Sequence, residues 1–204
     1  MKPKEERLRT PRAAGLAGTV FALLLGAAIV LVRISIPAGN AADATVAPNE
    51  RWAVRTALEI IPFAGIFFLW FMGAVRARVG DAEDRFIATV FMGSGLVFVA
   101  TMFGAGAAAG SVLSQPSGFG RDFAYTLMTT YALRMAAVFV FTTSTIGHRL
   151  GVLPRPLAVL GYLAGLVLLV AGSSLPWSEL VFPAWALVVS LHILRAGLRT
   201  PASG

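Results

Sequence analysis

The chain has 204 residues, 57% hydrophobic and only 13% charged, with a mean hydropathy of +0.77. A water-facing domain carries about 25% charged residues, so half of the usual solvent-facing charge is missing and an ordinary soluble domain is excluded. The formal charge of +7 would suit a nucleic-acid binder, but the basic residues stand at the ends of apolar runs and read as setting orientation in a bilayer.

The absence of cysteine removes disulfides, thiolate nucleophiles and Cys-based metal sites. The apolar residues come in runs of about twenty, the length that matches a ~30 Å hydrocarbon layer at 1.5 Å per helical residue. In chain order, a basic segment (1–13) leads into a first span over Ala14–Val32. Small residues near Ala38–Ala42 could suit a cleaved signal peptide. The run is long for one, and Arg33 interrupts the approach to any cleavage site. The second span covers Trp52–Val75 and the third Phe86–Ala109, with Asp81, Glu83 and Asp84 placed where a helix N-terminus favours negative charge. The fourth covers Phe123–Ile146. The fifth covers Leu157–Gly172, behind Pro154 and Pro156, and the sixth Trp177–Leu194, with Pro176 in its first turn.

Lys and Arg beside the spans divide twelve against five: Lys2, Lys4, Arg7, Arg9, Arg12, Arg76, Arg78, Arg85, Arg149, Arg155, Arg195 and Arg199 fall on one side, and Arg33, Arg51, Arg55, Arg121 and Arg134 on the rest. Positive charge collects in the cytoplasm. The expectation is an all-α bundle of six transmembrane helices (14–196), N-in and C-in, with a cytoplasmic tail (197–204).

Ionisable groups at membrane depth are costly and invite a functional reading. Arg134 lies near the middle of the fourth span, with Thr130 and Tyr131 three and four residues before it on the same helix face. Glu59 lies about seven residues into the second span, roughly 7–8 Å from the Arg134 level, and Arg55 competes for it at i, i+4. Pro62 follows Glu59, and Pro183 follows Glu179. Two proline-kinked helices would frame an outer polar cavity to which Tyr125, Thr129 and Thr130 add hydroxyls. The alternatives are a structural Glu59–Arg134 pair that fixes helix packing, and a Glu179 that sits in the headgroup region beside Trp177. Trp52 and Trp177 read as interfacial anchors.

His148 and His192 have no carboxylate at ligand spacing, so no metal site is expected. Thr142–Thr145 form a hydroxyl run expected to bond back to helix carbonyls. Gly161-x-x-x-Gly165 and Gly106-x-x-x-Gly110 permit close helix approach, inside the bundle or between copies. The basic N-terminus suits anionic lipid. No P-loop, nucleophile elbow or H-E-x-x-H is present.

Two stretches carry a resemblance: Glu59–Gly73 with Glu83–Gly95, and Ala132–Phe139 leading into Thr143–Ile146. Together they resemble a family of small uncharacterised bacterial multi-spanning membrane proteins. The resemblance covers the second to fifth spans, includes Glu59, Pro62 and Arg134, and implies a bacterial cytoplasmic membrane location but no activity. With no catalytic or cofactor motif, the expected function is a non-enzymatic membrane component or accessory subunit. Its partners would be the lipid bilayer and either further copies or another membrane protein, with no nucleic acid. The alternatives are a small oligomeric transporter or channel using the Glu59–Arg134 layer, and, last, an intramembrane enzyme acting on lipid.

Overall fold

The computed structural model describes residues 10–35, 51–79, 85–114, 118–170, 175 and 177–198. Every regular element among them is a helix: α1 (Thr10–Ser35), α2 (Arg51–Val79), α3 (Arg85–Ser114), α4 (Gly118–Thr126), a π-helical segment (Leu127–Ala132), α5 (Leu133–Arg149), α6 (Arg155–Val170), a 3-10 turn (Ser178–Leu180) and α7 (Val181–Leu198). Five stretches are long and apolar enough to cross a membrane: Ala13–Ser35, Arg51–Ala77, Arg85–Leu113, Phe119–Arg149 and Ser178–Ala196. The expected fifth span is shorter. α6 has 16 residues, about 24 Å of helix, and 171–174 lie outside the described residues. So do Asp81, Glu83, Asp84, Pro176 and most of the basic N-terminus.

The helices close into a ring. α1 packs against α2 and α7, α2 against α3, α3 against the continuous α4–π–α5 rod, α5 against α6, and α6 against α7. The centre of the ring is aromatic. Phe21, Phe68, Phe98, Phe139 and Phe182, one each from α1, α2, α3, α5 and α7, are all buried. Their ring centroids stand 4.8–6.1 Å apart, from Phe21–Phe68 at 4.8 Å to Phe139–Phe182 at 6.1 Å. Tilted and edge-on geometries of this kind suit the ring quadrupoles. The outward side chains are also apolar, among them Leu16, Leu23, Phe63, Trp70 and Leu163. An exterior as apolar as the core is the arrangement of a helical membrane protein.

Small residues set the spacing of the ring. A Cβ on Gly165 would come within 2.9 Å of the Phe141 ring, and one on Gly161 would run into Ser144 and reach Trp185 Nε1. The Gly161–Gly165 pair therefore serves α6 packing inside the bundle. Gly106 and Gly110 are different: an added Cβ meets only Leu58 and Ile61 of α2 at ordinary distances.

The two prolines part company. Pro62 is inside α2, where it removes a helix hydrogen bond. Pro183 is the third residue of α7, where the missing N–H has no helix acceptor to lose. The expected pair of kinked helices reduces to one interior proline, because the sixth span begins with a 3-10 turn and its α-helix starts later than Trp177.

Candidate functional site

The carboxylates among the described residues are Glu59, Asp122 and Glu179, and all three stand at the end of the bundle where α1 finishes and α2, α4 and α7 begin. A polar layer does lie there, but its partners are not those the sequence suggested. Glu179 sits in the 3-10 turn that follows Trp177, whose backbone is left-handed at φ 65°. That reversal folds the turn inward, so the Glu179 side chain is only 2% exposed rather than lying among headgroups beside Trp177. Its Oε1 accepts a hydrogen bond from Arg33, the basic residue in the last turn of α1, forming the one ion pair among the described residues. Glu179 Oε2 is buried without a hydrogen-bond partner. The pair ties the first helix to the last and closes the ring at this end.

Glu59 and Arg134 do not form an ion pair. Both are exposed, Glu59 on the outer stripe of α2 with Arg55 one turn before it, and Arg134 at the start of α5. The reason is topological. α3 packs between α2 and α5, and what those two helices share across the centre is the Phe68–Phe139 contact at 4.9 Å. The polar residues project away from it. Counted from those two rings, Glu59 lies nine residues and Arg134 five residues further along, about 14 and 8 Å by helical rise. Glu59 therefore lies in the outer third of its span and Arg134 near the middle of its own, both on outward surfaces.

Arg134 donates instead to the Thr130 carbonyl at 3.3 Å, beside the π segment, where Leu133 N–H reaches back five residues to Met128 O. A π segment widens a helix by one residue per turn and is found preferentially at functional positions. It leaves Tyr131 exposed beside Arg134, Thr130 half-buried and Thr129 buried. Thr129 Oγ1 donates to Tyr125 O at 2.9 Å, so its hydroxyl is spent within the helix. Thr142, Thr143 and Thr145 likewise donate to carbonyls three or four residues back, and Thr145 Oγ1 also lies 3.1 Å from the Tyr162 hydroxyl.

Two apolar cavities lie among the described residues, and neither is lined by Glu59, Arg134 or Glu179. His148 is exposed at the end of α5 and His192 half-buried in α7; no three metal-ligating side chains cluster among the described residues. Sequence reasoning missed the Arg33–Glu179 pair and the π segment. The pair had one available signal: alternating spans bring Arg33 and Glu179 to the same end. No protein-family model, curated protein or solved structure matches the chain.

Proposed function

We propose that this chain is a non-enzymatic component of a bacterial cytoplasmic membrane, an accessory or assembly subunit that meets a neighbouring protein through the α2 and α5 faces. In this reading it crosses the bilayer six times, with α6 as the fifth crossing and both termini in the cytoplasm. That orientation places the arginine-rich end (Arg76, Arg85, Arg149, Arg155, Arg195) inside, as the positive-inside rule prefers. The observation that carries the reading is the outward exposure of Glu59 and Arg134 at membrane depth without an ion partner. Ionisable side chains in such positions cost a few kcal/mol by insertion scales unless paired or wetted, and a polar partner span relieves that cost.

The test is purification of the full chain at native expression level in a mild detergent, with a sizing profile and mass spectrometry, repeated for Glu59→Gln and Arg134→Gln. A stoichiometric partner retained by the native chain and lost from both variants is the expected result. A lone monomer with an identical profile for all three proteins overturns the reading. A homo-oligomer that dissociates in the variants overturns the accessory role and moves the argument to oligomeric transport.

A further inference from the structure

Arg134 differs from Glu59 in depth and in chemistry. The stretch Phe119–Arg149 has 31 residues, so Arg134 stands fifteen residues from either end, about 22 Å by helical rise. Glu59 is only eight residues from the start of α2, with Arg55 one turn before it. A carboxylic acid at membrane depth can take up a proton and become neutral, whereas a guanidinium in a protein has no neutral form to adopt. Arg134 therefore calls for an anion or water at its own level. No described carboxylate supplies the anion. Glu179 is held by Arg33, α3 stands between Arg134 and Glu59, and Asp122 lies twelve residues earlier in the same rod, about 18 Å away by helical rise.

The hydrogen bond that Arg134 does make, 3.3 Å to the Thr130 carbonyl, carries the guanidinium a single turn toward the Phe119 end and leaves its other donors on the outer surface. Tyr131, 55% exposed, stands beside it in the π segment. A rigid fork of N–H donors and a phenol hydroxyl on one surface fit a carboxylate, which accepts two parallel bonds from such a fork. Depth decides where the carboxylate comes from. Headgroup phosphates lie about 15 Å from the bilayer centre, half of the ~30 Å hydrocarbon layer, and a loop of a water-soluble protein stops at the same level. Another membrane-spanning helix presents an acid at the level of Arg134.

We propose that the α5 face docks a transmembrane helix of a partner protein that carries a Glu or Asp near its middle, the carboxylate held by Arg134 and Tyr131. This rests on the assembly reading and gives the partner its chemistry: an acid at mid-depth is the feature by which this chain selects it.

The experiment reconstitutes the purified full chain in phosphatidylcholine vesicles, with a dye on Ser203→Cys because the native sequence has no cysteine. Energy transfer reports association with dye-labelled synthetic peptides, each an apolar helix of about twenty residues with Glu, Gln or Lys at its centre. The Glu peptide should bind at least ten-fold more tightly than the Gln peptide, the scale of a charge-assisted hydrogen bond, and the Lys peptide no better than Gln. Arg134→Gln should abolish the Glu preference, and Arg134→Glu should transfer it to the Lys peptide. Arg51→Gln, at an exposed arginine that begins α2, should leave it intact. Tyr131→Phe should lower it about two- to ten-fold, and no change there removes the phenol from the seat. Equal binding of the Glu and Gln peptides by the unaltered chain overturns the proposal, and so does a Glu preference that survives Arg134→Gln. A preference that disappears when phosphatidylglycerol is added to the vesicles assigns Arg134 to a lipid headgroup and also overturns it. The two readings fail separately: a co-purifying partner beside equal peptide binding removes the acid and leaves assembly standing, whereas a lone monomer at native expression beside a Glu preference removes the accessory role and leaves the acid-binding face.

Discussion

Removing Arg33 should be among the most damaging single changes to this protein, and the structure sets the size and the asymmetry of the effect. Glu179 is 2% exposed and Arg33 12% exposed, and one carboxylate oxygen already lacks a partner. With Arg33→Met the carboxylate keeps its burial and loses its only counter-charge, a situation that typically costs 3–5 kcal/mol. Glu179→Gln keeps the acceptor oxygen and the shape, so the loss is that of a charge-assisted hydrogen bond, about 1.5–3 kcal/mol. Removing both charges with Arg33→Met and Glu179→Leu together should bring the protein back to within about 1 kcal/mol of the native chain, because well-packed apolar groups replace a buried pair at little net cost.

The assay is unfolding in mixed micelles, titrated with dodecyl sulfate and followed by Trp fluorescence and helicity, for the native chain, these three variants and Glu179→Leu alone, which closes the cycle with the double substitution. Arg134→Gln and Glu59→Gln serve as comparisons. Both side chains are exposed and outside the ion pair, so neither substitution leaves a buried charge without its counter-charge. If Arg33→Met costs no more than Arg134→Gln, the pair does not hold the ring closed. If the Arg33 and Glu179 substitutions add within about 0.5 kcal/mol, as independent sites do, the two side chains do not act on one another and the reasoning fails.

Phe68→Ala should cost about 3–5 kcal/mol, since this fully buried ring touches those of Phe21, Phe98, Phe139 and Phe182; the same micelle titration measures it, and a loss under 1 kcal/mol would contradict an aromatic centre. Gly161→Ala should destabilise by about 1–3 kcal/mol through overpacking against Ser144 and Trp185. Gly106→Ala, which meets only ordinary contacts, should leave stability unchanged or slightly raised, and a reversal of that order would return the Gly106 motif to close helix packing.

The helices were legible because apolar runs of membrane length survive any uncertainty at their ends. Which side of each helix faces inward was not. In water, burial and hydropathy go together; in lipid the surroundings of an outward Leu163 or Trp70 are as apolar as those of a buried Phe68 or Phe182, so hydropathy carries no inside–outside signal. Glycine spacing helped only in part, since Gly161-x-x-x-Gly165 and Gly106-x-x-x-Gly110 are equivalent as patterns and differ only in what stands opposite them. The charges show the same division. Depth along a helix is a count of residues, and it put Glu59 and Glu179 in the outer halves of their spans and Arg134 near the middle of its own. Pairing depends on which helices are neighbours. The Arg33–Glu179 contact spans 146 positions and exists because α7 closes on α1, while α3 keeps Glu59 from Arg134. The π segment was illegible for another reason: it is a one-residue register change within a run whose composition suits an ordinary helix.

The aromatic centre also bears on transport. Five rings from five helices fill the axis of a single copy at mid-depth, with neighbouring centroids within 4.8–6.1 Å. A solute path along that axis would have to part rings that are wholly or nearly buried, at a cost comparable to the packing energy they contribute. The charged groups at membrane depth that a transporter would use, Glu59 and Arg134, face away from that axis. Any aqueous route built on them therefore runs along the outside of one copy and needs a second wall from a neighbour. Transport and assembly then make the same demand on the α2 and α5 faces, and a chain that stays monomeric in the bilayer would satisfy neither.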